Sequence, residues 1–306
     1  MKPPLLPDGI DIFERGWLSS NNIFFDDGQT SWLIDSGYST HSDQTLALVD
    51  AKLGTRPLDI LVNTHLHSDH CGGNSALQDK YPSLITLIPP GQAEFVKNWN
   101  AAALTYDATG QQCPKFTYSQ ILSPGTNIRL GLQTWDIYAA PGHDPDAILL
   151  FEPSRRILIS GDALWENGFG VVFPELEGKD AFDEVRATLD LIQSLDPEVV
   201  IPGHGEVFRF TPKAMAIARQ RLEAFKQSPV RHARHAVKVL LKFKLLELQQ
   251  QPIAQFNQWA ENTPYLHTCK KRFFSEMDFV SFIEKMCTEL VNSGVARMAD
   301  KTIYNA

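Results

Sequence analysis

The sequence has few cysteines, no long apolar run and only a moderate content of charged residues, and each scarcity excludes a class of protein. Its four cysteines are widely spaced and form no CxxC pair, which argues against a disulfide framework or a zinc finger and favours reduced thiols in a cytoplasmic protein. No run approaches the roughly 18 apolar residues that a membrane span requires, so we expect no membrane partner. Residues 1–8 are broken by proline and acid and lack the apolar core of a secretory signal.

The composition is otherwise that of a globular protein with one large domain or two. Hydrophobic residues make up 43% of the 306 residues, which is enough for a buried core and excludes a disordered or fibrous chain. The net charge of −8 hides two parts of opposite sign, because residues 1–208 hold 12 Lys and Arg against 28 Asp and Glu, whereas residues 209–306 hold 16 against 8. We therefore expect a first domain over 1–210 and a basic helical module over 211–306.

The pattern of apolar residues predicts an α+β protein. Short apolar runs bounded by turn residues predict strands over 10–18, 22–25, 31–34, 58–62, 84–88, 135–139, 147–151, 157–160 and 199–201. Helical spacing predicts helices over 40–53, 74–80 and 92–103, and another that carries Phe182, Val185, Leu189 and Ile192 on one face. After Pro212 the pattern is mainly helical, and residues 295–303 are typical of a small hairpin.

The densest group of metal-binding side chains follows the predicted strand over 58–62. Residues 63–73 read N-T-H-L-H-S-D-H-C-G-G. In an extended segment His65 and His67 project to the same side, so both can bind one cation. Asp69 and His70 follow where the chain turns, and we expect their side chains to point toward a second position. Neutral imidazole and carboxylate suit zinc, with iron or manganese as alternatives.

Three further motifs place a metal-binding side chain directly after a predicted strand. They are P-G-H-D with His143, S-G-D-A with Asp162 and P-G-H-G with His204. A strand end is a rigid place from which a sheet can aim a side chain. A single histidine of this kind is usually a core or surface residue, but five histidines and two aspartates at strand ends favour metal ligation over chance occurrence.

In this order, the motifs HxHxDH, PGH, GD and PGHG resemble those of the metallo-β-lactamase fold superfamily of metallohydrolases, over about residues 8–208. The resemblance implies an αββα sandwich with a two-metal site at the edge of its sheets. The implied ligands are, for the first metal, His65, His67 and His143; for the second, Asp69, His70 and His204; and, as the bridge between them, Asp162.

These roles imply hydrolysis by a water molecule activated between two divalent ions. A metal ion can lower the pKa of its bound water to about 7, and the bridging hydroxide then attacks an electrophilic carbonyl or phosphorus centre. Asp69 is the candidate catalytic residue, because it can orient the nucleophile and pass a proton to the leaving group. The third motif supplies Asp162 and not the cysteine ligand of the antibiotic-hydrolysing branch. The chain thus resembles the glyoxalase-II-like, nuclease-like and lactonase-like branches more closely.

The expected substrate is a small ester, thioester or lactone, and three other functions remain open. A metal-dependent nuclease acting on RNA or DNA is the first alternative. An iron-dependent oxidoreductase with sulfur or oxygen chemistry is the second. A non-catalytic regulator that binds DNA is the least favoured function, because a complete set of metal-binding residues is typical of an enzyme.

The basic C-terminal module has several alternative roles. Between Arg209 and Arg272 there are 13 Lys and Arg against three acidic residues. Helices that end in a hairpin resemble the winged-helix-like module appended to some family members, including an endoribonuclease branch. Such a surface can attract the phosphates of a nucleic acid or of an anionic substrate such as a coenzyme A ester. The alternatives are a solvated face, a module that packs over the pocket, or one that mediates homodimerisation. Nucleic acid is the less favoured partner, because the acidic first domain would repel a polyanion.

Weaker signals lie close to these motifs. For Asp35, in I-D-S-G, we favour a turn role over metal ligation. Cys71 is expected to be a small filler residue. Residues 165–170 and 105–115 are candidates for the pocket wall and for part of a lid, with a packed connection or an ordinary surface loop as the alternatives. Three histidines lack ligand spacing and are expected to be surface or structural residues: His232, His235 and His267.

Overall fold

The computed structural model describes residues 6–306 and contains two six-stranded sheets whose strands follow one another in chain order. Residues 1–5, on which the expected absence of a secretory signal partly depends, lie outside the described residues. The first sheet consists of β1 (Ile10–Phe13), β2 (Asn22–Asp26), β3 (Ser31–Ile34), β4 (Ile60–Val62), β5 (Ile85–Ile88) and β6 (Gln120–Ile121). The second consists of β7 (Asn127–Leu130), β8 (Gln133–Ala139), β9 (Ile148–Glu152), β10 (Ile157–Gly161), β11 (Val199–Pro202) and β12 (Phe208–Arg209).

Helices connect the strands and continue to the C-terminal part. They are α1 (Ser42–Leu53), α2 (Ser68–Cys71), α3 (Asn74–Lys80), α4 (Ala93–Lys97), α5 (Tyr106–Thr109), α6 (Phe173–Glu177), α7 (Phe182–Leu195), α8 (Pro212–Gln227), α9 (Pro229–Leu248), α10 (Ile253–Glu261), α11 (Pro264–Phe273) and α12 (Phe279–Asn292). β3, β4 and β5 pair in parallel, as do β10 and β11. Parallel neighbours need a crossover connection, which α1, α3 and α7 provide.

The apolar residues form three layers of core, as expected for a sandwich of two sheets between helices. Phe25 of the first sheet and Trp135 of the second meet edge to face between the sheets. Leu33 packs against Val49 and Leu77 outside the first sheet. Leu158 packs with residues of α7 and α8 outside the second. The predicted αββα arrangement is therefore confirmed.

The C-terminal part has its own apolar cluster. α9 to α12 bury large side chains such as Phe256 and Phe282 against one another. A small sheet completes this part, with the strands β13 (Gln250–Pro252), β14 (Ala296–Ala299) and β15 (Thr302–Asn305) in the order β13-β15-β14. The predicted helical module is confirmed, whereas its winged-helix character and the domain boundary at residue 210 stay predictions. In residues 6–306, no helix is both long enough and apolar enough to cross a membrane.

Some predicted elements differ from those in the structure. The helix expected over 92–103 ends at Lys97, and Trp99 adopts a left-handed backbone with φ of 44° that cannot continue a helix. The segment 105–115 is not wholly irregular, because it contains α5. β6, β7 and α6 carry too few apolar positions in a regular spacing to have been predicted.

Candidate metal centre

The first group of predicted ligands extends from the end of β4 into α2. The chain between them is extended, so the Nε2 atom of His65 lies 3.2 Å from the Nδ1 atom of His67. Asp69 and His70 then lie in the short helix α2. Gly73 allows this helix to pack tightly, because a Cβ atom there would lie 2.5 Å from the carbonyl oxygen of Ser36. The chain therefore turns sharply at the point where the four candidate ligands converge.

The other predicted ligands lie in the second sheet, just after β8, β10 and β11. These strands present His143, Asp162 and His204 at the same edge. Gly203 permits their close approach, since a Cβ atom there would lie 2.3 Å from Oδ1 of Asp162. Gly170 is equally constrained, because its Cβ would lie 2.4 Å from Nδ1 of His143.

Asn21, which the sequence analysis did not single out, joins the two halves of the site. Its side-chain amide donates to the carbonyl groups of Pro202, at 3.0 Å, and Gly205, at 2.7 Å. The neighbouring Ser20 backbone N–H donates to the carbonyl of Asp69 at 2.9 Å. The β1–β2 loop thus links the two loops that carry candidate ligands, although nothing in its residue pattern signals this role.

The structure brings all seven predicted ligands together. Potential donor atoms lie within 4.8 Å of one another in three groups: His65, His67 and His143; His65, His70 and Asp162; and Asp69, His70 and His204. Asp162 lies between the first and third groups, with Oδ1 3.4 Å from Nε2 of His70 and Oδ2 3.4 Å from Nε2 of His143. The arrangement is that of two adjacent three-residue sites with a carboxylate between them.

Buried imidazole nitrogens indicate that these side chains suit metal ions. Among the described residues, Nε2 of His70 and Nε2 of His143 are buried and have no hydrogen-bond partner. Each ring is held from its other side, because Nδ1 of His143 donates to the carbonyl of Val171 and Nδ1 of His70 donates to Asp35. An unpaired buried nitrogen is costly unless it binds something. A divalent ion with nitrogen and oxygen ligands would satisfy both atoms.

The electrostatics of the cluster favour the cation-binding form at His67, His143 and Asp162, whereas His70 carries an opposite shift that the two neighbouring carboxylates cause. Burial lowers the pKa of both His67 and His143 to about 4, so both imidazoles are neutral at pH 7. Burial also acts to lower the pKa of His70, but the negative charges of Asp35 and Asp162 outweigh it and raise this pKa. The pKa of Asp162 is lowered, since His204 and His70 outweigh the opposing effect of burial.

Asp35 has a structural role, as the sequence predicts, but not through a local turn. It adopts a left-handed backbone with φ of 58°, but its carboxylate does not close a local turn. Oδ1 accepts from the backbone N–H of Thr64 at 2.9 Å, and Oδ2 accepts from Nδ1 of His70 at 2.7 Å. Asp35 is absent from the three donor groups. Asp35 therefore orients the predicted ligand His70 through a tertiary contact, which the sequence pattern cannot show.

A cavity of about 610 Å³ opens directly over the cluster. Trp17, which was not predicted, stacks on His204 with ring centroids 5.4 Å apart, and Trp165 meets the same ring edge-on. The C-terminal helices complete the wall, so the module does pack over the pocket, as one of the alternatives proposed. The predicted pocket segments also contribute: Thr105, Thr109, Gln111, Trp165, Glu166, Asn167 and Gly170.

The remaining histidines and Cys71 occupy separate places. His232 is buried, and its Nε2 accepts from the backbone N–H of Val172, so it is structural. His267 stacks on Phe279 at the surface. His235 lines the cavity, which its sequence spacing did not indicate. Cys71 is buried and contacts the Tyr106 hydroxyl.

A sandwich of two sheets with a histidine and aspartate cluster at one edge is the architecture of a metal-dependent hydrolase. The sequence matches the family model of the metallo-beta-lactamase superfamily over residues 15–204. The chain belongs to this superfamily, whose members generally bind divalent metal ions.

Curated relatives include enzymes named as hydrolases. The chain is 27% identical to an acyl-coenzyme A thioesterase of Gallus gallus over 66% of this chain and 80% of that protein. It is 30% identical to a hydroxyacylglutathione hydrolase of Brucella anthropi over 53% of this chain and 51% of that protein. The chain therefore spans only about half the length of the second relative.

Solved structures share the fold. A metallo-beta-lactamase family protein of Thermus thermophilus matches 99% of this chain and 100% of its own, with a TM-score of 0.55 and 16% identity. A second structure, described as TTHA1623 in a di-iron-bound form, matches 68% of this chain and 96% of its own, with a TM-score of 0.52 and 25% identity. The first match extends over the C-terminal helices as well as the sandwich.

Proposed function

We propose that this protein is a dinuclear metal-dependent hydrolase that cleaves a small thioester, ester or lactone, with a thioester as the preferred substrate. The observation that carries the proposal is the pair of donor groups joined by Asp162 beneath a cavity of about 610 Å³. This volume lies in the range of small-molecule sites. The names of the acyl-coenzyme A thioesterase and hydroxyacylglutathione hydrolase relatives support a substrate of this kind.

The proposed ligands are those inferred from the motifs. One ion would be held by His65, His67 and His143, the other by Asp69, His70 and His204, and both by Asp162. Zinc is the expected metal, because imidazole and carboxylate donors suit it. Iron is the principal alternative, and it is supported by the structural neighbour that is described as di-iron-bound.

Divalent ions at these ligands would supply an activated water molecule and polarise the substrate's carbonyl oxygen. The protein's own contribution to proton transfer comes from Asp69. Its Oδ2 lies 3.1 Å from Nε2 of His204, and its side chain is 16% exposed toward the cavity it lines. Asp69 can therefore accept a proton from the water and return it to the leaving thiol or alcohol. Trp17 and Trp165 contact each other edge to face and line one side of the pocket over the site.

The test combines metal content with turnover. Protein prepared in excess metal should bind about two ions per chain and hydrolyse a simple acyl thioester. In the Asp69→Asn variant we expect kcat to fall by about 100-fold or more, since general acid–base catalysis typically contributes that much. Asp107→Asn is the matched control, because this aspartate is exposed on α5. Binding of less than one ion per chain, or full activity in Asp69→Asn, would refute the proposal.

A further inference from the structure

A second cavity, of about 660 Å³, lies between α8 and α9 and adjoins the one over the metal centre. Two side chains, Arg221 and His235, line both cavities. They therefore mark the boundary between the catalytic pocket and a separate cleft. This cleft has a different chemical character from the pocket, because basic side chains surround it.

Four residues that are cationic at neutral pH line the cleft, whereas its lining contains one carboxylate. The cations are Arg221, Arg231, Arg234 and Lys238, and the carboxylate is Glu289. Glu289 pairs with Arg234 at 3.2 Å and Lys238 at 3.3 Å. Within residues 6–306, neither Arg221 nor Arg231 forms an ion pair. The cleft thus carries an excess of three positive charges, which is unfavourable without an anion.

The Arg221 guanidinium is positioned by one hydrogen bond and, among residues 6–306, has no carboxylate partner. One of its guanidinium nitrogens donates to the carbonyl of Phe169 at 3.0 Å. Gly168 leaves room for it, since a Cβ atom there would lie 2.6 Å from the guanidinium carbon. The remaining donors of this preorganised fork suit the oxygens of a phosphate, which guanidinium groups bind in a bidentate manner.

The pKa of His235 is affected by the same excess of positive charge in the cleft. Burial, together with the positive charges of Arg221 and Lys238, lowers its pKa to about 4. A bound dianion would oppose these effects and favour the protonated imidazole, which is a further donor to phosphate. The cleft is therefore electrostatically incomplete in a way that a phosphorylated ligand corrects.

We propose that this cationic cleft, formed by Arg221, Arg231, Arg234, His235 and Lys238, binds the phosphate groups of the substrate's thiol carrier. The substrate class is then a thioester of a phosphorylated, nucleotide-type thiol, whose acyl end reaches the metal centre through the adjoining pocket. This inference rests on the proposed hydrolase function and specifies its substrate. The acidic balance of residues 1–208 disfavours a long polyanion such as RNA.

The test is a binding measurement that needs no turnover. We would titrate the metal-loaded protein with coenzyme A, with pantetheine, which lacks its phosphates, and with a short oligoribonucleotide. We expect coenzyme A to bind at least about tenfold more tightly than pantetheine and to lose affinity as salt rises. In Arg231→Gln, affinity for coenzyme A should fall about fivefold, as expected for one charged contact near the surface. Arg231 is exposed, so this change should not affect folding.

Lys285→Gln is the matched control. It removes the same charge from an exposed position on α12 that does not line the cleft, so coenzyme A affinity should not change. Equal affinity for coenzyme A and pantetheine, no effect of Arg231→Gln, or tighter binding of the oligoribonucleotide would overturn the inference. If coenzyme A binds in the cleft but no thioester is hydrolysed, the proposed function fails and the cleft assignment stands. If acyl thioesters of both thiols are hydrolysed equally well, the function stands and the cleft assignment fails.

Discussion

Replacement of Asp35 by asparagine should remove a metal ion without disturbing the fold. The residue is buried, with its side chain 3% exposed, and its backbone φ of 58° is one that asparagine also tolerates. The amide oxygen can still accept from the backbone N–H of Thr64, as Oδ1 does at 2.9 Å. The amide NH₂ group then faces Nδ1 of His70 in place of Oδ2, which now accepts from it at 2.7 Å.

This reversal changes the tautomer of His70. A carboxylate only accepts hydrogen bonds, so it keeps the proton on Nδ1 and leaves Nε2 free for a metal ion. An amide NH₂ group only donates, so it favours the proton on Nε2, the buried nitrogen that faces the metal centre. Loss of such an orienting partner typically reduces metal affinity or activity by about 10- to 100-fold. This corresponds to about 1.4 to 2.7 kcal/mol.

The assay is metal content at a series of buffered free-metal concentrations, followed by thioester hydrolysis at each one. We expect Asp35→Asn to retain the first ion and to lose the second at concentrations that saturate the wild-type protein. Asp59→Asn is the control, because Asp59 accepts hydrogen bonds from Ser31 at the opposite end of β4. If Asp35→Asn binds two ions with wild-type affinity and hydrolyses thioester at the wild-type rate, then Asp35 does not control the tautomer of His70.

Two further predictions concern pH and packing. Burial lowers the pKa of His232 to about 3 from 6.5. As pH falls below 6.5, this histidine therefore becomes protonated in the unfolded state but stays neutral in the folded state. The free energy of unfolding should then fall by up to about 1.4 kcal/mol per pH unit. Urea unfolding at pH 7.5 and 5.5 should show a smaller fall in His232→Gln than in the wild-type protein. Equal falls in the two proteins would contradict this prediction. Gly170→Ala should displace His143 and lower metal content and activity by about tenfold. Gly16→Ala is the control and should change neither, because nothing lies within 4 Å of a Cβ atom at that position. Wild-type metal binding by Gly170→Ala would refute the role of the contact between Gly170 and His143.

Much of the candidate site could be predicted from residues that are close together in the sequence. The motif over 63–73 combines an extended segment with a turn, so the convergence of His65, His67, Asp69 and His70 follows from local geometry. The strands before His143, Asp162 and His204 were also predictable, because their apolar runs end at glycine or proline. Their common position at one sheet edge was inferred from the family resemblance, and the sequence pattern alone contains no distance between them.

Other features depended on contacts between distant parts of the chain. Asp35 and His70 are 35 residues apart, and Asn21 and Pro202 are 181 apart. No local periodicity connects such pairs. The helix expected over 92–103 was wrong for a similar reason, because helical propensity is a weak preference that tertiary packing overrides.

The sequence by itself determined the types of the candidate ligands, the order of the strands that carry them and the opposite charges of the two parts of the chain. Those properties depend on composition and on spacing of a few residues. Only the tertiary structure decided that α8 and α9 enclose a cationic cleft beside the metal centre, with Arg221 and His235 between the two cavities. A run of basic residues has the same sequence whether it faces solvent or a pocket. Its role depends on what packs against it, and that is set by the three-dimensional arrangement of helices.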